Sequence, residues 1–442
     1  MTVTTSEPNH PATAAPADAS SPAFLKAVTQ LGQARPVTTS RAIYNNQGVK
    51  LLEGGVRIDE HLYDRLVSHR LSAPLDEAVA SDPPVNAESL REAAEAAMAR
   101  WPFFGLLGPA GRVRSMLLQS IESIPLPQPI AFHLTLARET RPALFEHGIL
   151  MALLCAHLVR EGGAPIHDMT VAASAGLLHD LGMLHIDAEL LDGGHTLSGE
   201  ARRPLYAHPV TSSMLVARFH QYPKQVARAV LEHHELMDGS GYPRALSGEA
   251  ISPLGRMLSL CEVVTAMFDG ERQRPEQRVS LLLRVSPLRF DPALVPSIHR
   301  LLRAVPAPQD DVELSVGDSL AQLRVLDSLL TQCFAAIEAS APALDAGGQA
   351  VLTAIGGQAV TLQRMLHEAG ITPEQLDMLE RSPEPDAALQ GELWALTREV
   401  GWNLRSSANQ LRRRWRAGAG GAPLPEAVAA WLTAIEAPAA AG

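Results

Sequence analysis

Histidine is concentrated in one part of this chain, and this clustering limits the possible folds and functions more than any other feature. Ten of the sixteen histidines lie between positions 147 and 234 of the 442 residues, where an even distribution would place roughly three. Alanine and leucine surround them and β-branched runs are sparse, so this region is predicted to be helical. Histidines on helices with carboxylates nearby are typical of a metal site. For any single histidine, an imidazole that binds no metal is the better interpretation. For the group as a whole, a metal site is the better interpretation.

The predicted helices of this region carry carboxylates as well as histidines, mostly near their ends. They are Leu144–Arg160, Thr170–Leu181, a helix from Ser198 to His208, one from Pro223 to His234, and Pro253–Phe268. The candidate ligands are His147, His179, Asp180, His208, His233, His234 and Glu262. This set is too large for one tetrahedral ion and suits two ions with bridging groups. Two such ions would activate a water and neutralise a phosphoryl oxygen, which indicates phosphoester hydrolysis.

A glycine-rich loop follows the last histidine pair. Gly239 and Gly241 permit positive φ and close backbone approach, and Pro243 makes the exit of the loop rigid. The loop is therefore expected beside the bound ligand or at a contact surface, with Tyr242 packed or facing a partner.

Composition excludes several classes of function. The net charge of −11 gives no general attraction for nucleic acid polymers. The three cysteines form no disulfide framework or Cys-x-x-Cys motif, which fits a reducing compartment. The N-terminal segment lacks the features of a signal peptide, and no run of eighteen apolar residues occurs. We therefore expect a cytoplasmic protein with no membrane contact.

Changes in composition divide the chain into four predicted regions. Residues 1–21 are predicted to be a disordered tail, and 22–128 an accessory or sensory region with a hairpin over Arg41–Leu52 and helices over Ile58–Leu71 and from Asn86. Residues 129–306 form the histidine-rich helical domain. Residues 307–442 form further amphipathic helices, and their only basic cluster, near Trp415, is best explained as a solvated helix face. These last helices are predicted over Ser319–Glu338, Gln349–Ala369, Ala387–Ala417 and Pro425–Ile435.

The motifs resemble those of the HD-GYP family, a branch of the HD-domain metal-dependent phosphohydrolases. The resembling elements are His147, His179 to Gly182, Leu197 to Glu200, His208-Pro209, His233 to Pro243, and Arg256. The resemblance implies a mostly α fold, with a helical-bundle HD-type domain, a small α+β N-terminal region and a helical C-terminal extension. It also implies two divalent ions, Fe or Mn, and hydrolysis of cyclic di-GMP to pGpG or GMP.

The resemblance also implies a role for each matching residue. The seven candidate ligands named above would hold the metals, with Asp180 bridging them, and His179 and Asp180 would be catalytic. The substrate or a protein partner would be contacted by Arg256, Gly241, Tyr242 and Pro243.

Three positions depart from the family pattern. Met183 stands where the family usually has lysine, and loss of such a charge-assisted phosphate contact would cost about 1.5–3 kcal/mol. Glu262 replaces the family's later aspartate ligand. Ala143 replaces a glutamate that some members carry, which favours two metals over three.

Two alternatives to the enzyme hypothesis remain at this point. The first is a degenerate module that binds metal or nucleotide and acts through signalling partners, contacted by the Gly-Tyr-Pro loop or the C-terminal helices. The second is an HD-type phosphohydrolase for another nucleotide, which leaves the later histidines and the loop unexplained.

Overall fold

The computed structural model describes residues 21–187, 203–268, 275–285, 289–305, 316–368, 387–418 and 423–436. These residues are mostly helical, with two small antiparallel two-stranded sheets, as predicted. The chain divides into two compact units, Met1–Glu271 with Arg289–Ser297, and Arg272–Leu288 with Ile298–Gly442. Residues 1–20 of the predicted tail and the predicted helix start at Ser198 lie outside the described residues.

The first unit begins with a helix that the sequence analysis missed, α1 (Pro22–Ala34). Four short strands follow, and β1 pairs with β4 while β2 pairs with β3, so the predicted hairpin is confirmed. The strands are β1 (Val37–Thr39), β2 (Ile43–Tyr44), β3 (Lys50–Leu52) and β4 (Val79–Ser81).

The helix predicted over Ile58–Leu71 is mostly wrong. The structure has a 3-10 turn, Glu60–Leu62, and a short helix, α2 (Tyr63–Val67). Both ends of the segment bond to strand segments instead: Ile58 N–H donates to the Val37 carbonyl at 2.8 Å, and Leu71 bridges to Asn45. The apolar spacing therefore reflects packing against the strands.

The remaining helices of the first unit form the helical domain and the segment that leads into it. The cap predicted at Asn86 is confirmed, since its Oδ1 accepts from Ser89 N–H at 2.9 Å. The helices are α3 (Ala87–Arg100), α4 (Pro102–Leu107), α5 (Arg112–Glu122), α6 (Gln128–Thr140), α7 (Pro142–Glu161), α8 (Ile166–Leu178), α9 (Arg203–Ala217), α10 (Lys224–Glu232) and α11 (Pro253–Thr265), with a 3-10 turn at Leu181–His185.

Helix α7 is the core of this domain, because every residue from Gly148 to Leu158 is buried. It packs closely on α8: a Cβ at Gly176 would lie 2.8 Å from the Ala152 nitrogen. By length and composition, Pro142–Glu161 and Gly317–Ser340 could each cross a membrane, with 67% and 39% of their most apolar windows buried inside the structure. The burial of α7 is typical of the core helix of a globular domain.

Helix α1 is held against the 3-10 turn by stacked rings. Phe24 stacks on His185 with ring centroids 4.7 Å apart and on His133 at 4.9 Å. The Ser21 hydroxyl lies 3.1 Å from His185 Nδ1. Burial lowers the pKa of His185 to about 3. This histidine is therefore neutral in the folded chain, and α1 is fixed to the turn that follows Asp180.

This burial predicts a pH dependence of folding stability. The pKa of His185 falls from an ordinary value near 6.5 to about 3 on folding, so its contribution to stability is complete above pH 6.5 and is lost as pH falls toward 3. We expect the free energy of unfolding to fall less steeply with acidification in His185→Phe than in the wild type, measured by urea titration between pH 4 and 7. Exposed His220 provides the control, since His220→Gln should keep the wild-type slope. Equal slopes in all three proteins would contradict the prediction.

The second unit contains a helical bundle. Its core includes Leu330, Leu352, Val400 and Trp431, and the indole of Trp431 donates to the Leu329 carbonyl at 2.8 Å. The C-terminal helices agree with prediction to within about three residues at each end. The helices after α11 are α12 (Pro275–Val285), α13 (Val295–Ala304), α14 (Val316–Ser340), α15 (Ala346–Glu368), α16 (Ala387–Gly418) and α17 (Glu426–Ile435).

Candidate metal centre

Asp180 lies at the centre of the candidate ligands. Helix α8 ends at Leu178, so His179 and Asp180 follow the helix rather than closing it. One carboxylate oxygen, Oδ1, lies 3.0 Å from His208 Nε2 and 3.5 Å from His233 Nε2, and Oδ2 lies 3.5 Å from His179 Nε2. One carboxylate therefore lies between two sets of imidazoles, as a bridging ligand would.

The other candidate ligands form two groups on either side of Asp180. In the first group, Glu262 Oε2 lies 2.9 Å from His147 Nε2 and 3.1 Å from His179 Nε2. In the second, the ligand atoms of His208, His233 and His234 lie within 4.8 Å of one another and of Asp180. The structure thus brings together all seven predicted ligands from segments up to 115 residues apart.

Three of the imidazoles are anchored in the same way. Their Nδ1 atoms donate to the carbonyl three residues earlier: His179 to Gly176 at 2.7 Å, His208 to Leu205 at 2.5 Å, and His233 to Val230 at 2.6 Å. Because a carbonyl oxygen only accepts, each Nδ1 carries a proton, and Nε2 is the ring atom that faces the other ligands. Such anchoring is usual for metal-bound histidines.

Pro209 explains why the anchor of His208 exists inside a continuous helix. Within α9 the carbonyl of Leu205 would normally accept from the N–H of residue 209, but proline has no N–H. The free carbonyl accepts from the imidazole of His208 instead. The His-Pro pair thus orients a ligand at the cost of one backbone hydrogen bond.

The electrostatics of the cluster favour a cation. Burial lowers the pKa of His179, but the carboxylates of Asp180 and Glu262 outweigh burial and raise it to about 9. Burial opposes ionisation of both carboxyls too, yet the surrounding imidazoles hold their pKa values well below the usual range. Burial, with His233 adjacent, lowers the pKa of His234 to about 2. At neutral pH the carboxylates are ionised and His234 is neutral, the forms that bind metal, whereas His179 carries a proton that a bound metal ion would displace.

The residues present fit divalent metal ions. His179 Nε2 and Asp180 Oδ1 are buried and lack a hydrogen-bond partner of normal geometry among the described residues. A buried polar atom without a partner is costly, and a bound cation would satisfy both. Imidazole and carboxylate donors without thiolate suit Fe, Mn or Zn.

Two glycines allow the close packing that the centre requires. A Cβ at Gly182 would overlap the His208 carbonyl oxygen, and the Gly182 N–H donates to Ser212 Oγ at 2.8 Å. A Cβ at Gly241 would overlap the His234 carbonyl oxygen. Of the two loop glycines, only Gly239 has a positive φ, 78°. The prediction of positive φ is therefore correct for Gly239, whereas Gly241 serves close approach.

The Gly-Tyr-Pro loop packs against the second group of ligands. The Tyr242 ring stacks on the imidazole of His234, with centroids 4.6 Å apart and an interplanar angle of 25°. Its N–H also donates to the His234 carbonyl at 3.1 Å. Pro243 follows Tyr242 directly, so the loop lies beside a candidate ligand, as the sequence predicts.

Two buried glutamates hold this loop, and the sequence analysis missed them. Glu235 accepts from the N–H groups of Arg244 and Leu246 at 2.7 and 2.8 Å. Glu232 accepts from the Ser252 hydroxyl at 2.5 Å and from the guanidinium of Arg244 at 2.8 Å. Both glutamates are fully buried. In the sequence, the two glutamates flank the His233-His234 pair, and this position could have indicated that they support the loop.

We expect the substitution Glu235→Gln to destabilise the first unit. In the glutamine side chain an NH₂ group would face a backbone N–H, and neither of these groups can accept a hydrogen bond. The substitution therefore weakens the two charge-assisted bonds to Arg244 and Leu246, each worth about 1.5–3 kcal/mol. Chemical denaturation should show a free energy of unfolding reduced by about 2–4 kcal/mol. Exposed Glu249 gives the matched control, and Glu249→Gln should remain within about 0.5 kcal/mol of the wild type. Equal stability of the two variants would show that Glu235 does not hold the loop.

The remaining predicted positions lie outside the ligand cluster or at its edge. Arg256 pairs with Asp291, Nη1 to Oδ2 at 3.3 Å, and contact with substrate stays a prediction. Met183 is half-buried, and its carbonyl accepts from Arg141 at 2.5 Å. Ala143 lines a small cavity beside His147. The motif segment Leu197 to Glu200 lies outside the described residues.

One family model matches the part of the chain that contains this site. Residues 133–294 match the family model described as HD domain. The chain is 29% identical over 141 residues to 3′3′-cGAMP-specific phosphodiesterase 1 of Vibrio cholerae, covering 32% of each protein. It is 31% identical over 123 residues to a cyclic di-GMP phosphodiesterase of Pseudomonas aeruginosa, covering 28% of this chain and 30% of that protein.

A third relative extends the match. The chain is 29% identical over 178 residues to the cyclic di-GMP phosphodiesterase response regulator of Xanthomonas campestris, covering 38% of this chain and 47% of that protein. The chain thus spans less than half the length of these three curated relatives.

The fold and the site define a helical HD domain in which histidines and carboxylates form a candidate metal centre. Residues 133–294 thus contain an HD domain, and the block from His233 to Pro243, which ends in Gly-Tyr-Pro, resembles the HD-GYP branch of that family, as the sequence predicts.

Proposed function

We propose that this chain is a metal-dependent phosphodiesterase that hydrolyses a cyclic dinucleotide, cyclic di-GMP in particular. The observation that carries the proposal is the position of Asp180, whose carboxylate lies between two groups of donor atoms. Two divalent ions, Fe or Mn, would be held by His147, His179 and Glu262 on one side and by the later histidines on the other, with Asp180 shared. When bound, such ions make water nucleophilic at neutral pH and neutralise phosphoryl charge.

The residues of the chain have their own part in this proposal. The carbonyl anchors fix the three imidazoles so that their donor atoms need no reorganisation. Tyr242 covers one face of the His234 imidazole. Hydrolysis breaks one bond between phosphorus and a 3′ oxygen, water supplies the hydroxyl that stays on phosphorus, and the released oxygen takes a proton.

The names of the relatives support the choice of a cyclic dinucleotide, since they include enzymes for cyclic di-GMP and for 3′3′-cGAMP. We propose cyclic di-GMP first, with pGpG as the immediate product. The degenerate-module alternative has less support, because the ligand set is complete despite Met183 and Glu262. Signalling partners and a cytoplasmic location stay predictions.

The test is turnover by the 442-residue chain, purified without oxygen and supplied with Fe²⁺ or Mn²⁺. Cyclic di-GMP and 3′3′-cGAMP are offered separately, and the linear products are separated by chromatography. We expect pGpG from cyclic di-GMP at a higher kcat/KM than cleavage of 3′3′-cGAMP. A higher kcat/KM for 3′3′-cGAMP would show that 3′3′-cGAMP, and not cyclic di-GMP, is the preferred substrate. Bound metal with cleavage of neither dinucleotide would refute the proposed function.

A further inference from the structure

An exposed tyrosine stands at the edge of the metal centre and is not among the ligands. Tyr206, on α9, keeps 43% of its surface exposed, although it lies two residues before the buried His208. Among the tyrosines that the structure describes, only Tyr44 is comparably exposed, at 42%. An aromatic side chain at the edge of a ligand site offers a flat apolar face to a flat ligand.

The rings form a continuous path from the metal ligands to this surface. Tyr206 meets Tyr242 in a T-shaped contact, with centroids 4.6 Å apart and an interplanar angle of 81°. Tyr242 in turn stacks on His234 at the same centroid distance. Tyr206 is therefore separated from the candidate ligand His234 by one intervening ring, that of Tyr242. The edge-to-face contact with Tyr242 leaves part of the aromatic surface of Tyr206 free.

The chemistry of a cyclic dinucleotide matches this arrangement. Each flat nucleobase is separated from the reacting phosphate by one ribose, so a phosphate at the metals places a base beyond them, toward the rim. Stacking on an aromatic side chain binds a base without any cation. This matters in a chain of net charge −11 that has Met183 where the resemblance implies a lysine.

We propose that Tyr206 is a stacking platform for one nucleobase of the substrate. The proposal rests on the proposed function, because it takes a cyclic dinucleotide as the ligand. Tyr206 binds substrate equally in the ground state and the transition state, so it sets KM and affinity rather than kcat.

The test compares Tyr206→Leu and Tyr206→Phe with the wild-type chain, each loaded with Mn²⁺. The aromatic ring kept in Tyr206→Phe should hold KM within about twofold of the wild type, whereas Tyr206→Leu should raise KM and the dissociation constant for cyclic di-GMP on the order of 10- to 100-fold. In both variants kcat and bound metal should stay unchanged. The dissociation constant is measured by titration calorimetry and KM by product formation.

Tyr44 supplies the matched control, because it is an equally exposed tyrosine in the same unit. Tyr44→Leu should leave KM and affinity unchanged. The platform is refuted by an unchanged KM and affinity in Tyr206→Leu, by an equal loss in Tyr44→Leu, or by a loss confined to kcat and metal content. If the wild type binds cyclic di-GMP without cleaving it, the proposed function fails while the affinities still decide the platform. A wild type that binds no cyclic dinucleotide overturns both.

Discussion

Replacing Asp180 by asparagine is expected to abolish turnover and to remove most of the bound metal. The amide keeps the shape of the side chain but carries no charge, and its nitrogen cannot bind a cation. The carboxylate lies within 3.5 Å of His179, His208 and His233, so its loss affects both groups of ligands. Removing outer partners of metal ligands already costs about 10- to 100-fold, and loss of the shared ligand should cost more than about a hundredfold in kcat/KM.

The measurements for Asp180→Asn are metal content by mass spectrometry and product formation from cyclic di-GMP. Asp168 is a suitable control, since it is exposed in the first turn of α8, the helix that precedes Asp180. Asp168→Asn should keep wild-type metal content and turnover. Full turnover by Asp180→Asn would show that the shared carboxylate is not part of the reaction centre.

The second large effect concerns the number of ions. Glu262 contacts only the first group of ligands, at His147 and His179, whereas His208 belongs to the second. We therefore expect Glu262→Ala and His208→Ala each to reduce the bound metal from about two ions per chain to about one, with turnover reduced more than about a hundredfold in both. Glu262→Ala removes a carboxylate from one side of Asp180, and His208→Ala removes an imidazole from the other side.

Metal analysis of the two variants decides between one site and two. Exposed His167 is the matched histidine control, and His167→Ala should bind as much metal as the wild type. Loss of all metal from both variants would indicate a single ion held by the whole cluster. Loss of none would indicate that the two groups are not metal sites.

The ligand types could be predicted from the sequence because they follow directly from residue identity and helix position. His179, Asp180, His233 and His234 lie just after helix ends, where a side chain can face away from its own helix. Their grouping around Asp180 does not follow from residue identity, because it depends on how α7, α9 and α11 pack, and it was predicted only through the family resemblance. The helical core was predictable for the same reason as the ligands, since long apolar stripes determine helix faces.

Other features were missed because their causes are not local. The apolar spacing over Ile58–Leu71 suggested a helix, but the backbone at both ends of this segment bonds to strand segments instead. Glu232 and Glu235 look like ordinary surface acids in the sequence, and only the structure shows the backbone groups that surround them. The motif explained Pro209 as a signature residue, whereas the structure shows its physical effect on the Leu205 carbonyl.

The wide spacing of the donors along the chain would make each bound ion a reversible cross-link. His147 and Glu262 are 115 residues apart, and an ion between them would close a loop that spans most of the domain. Closing a long loop restricts the unfolded chain, in the same way as a covalent bridge. Chelation should therefore lower the melting temperature of the first unit, so that thermal stability reports the loading of the centre even without substrate.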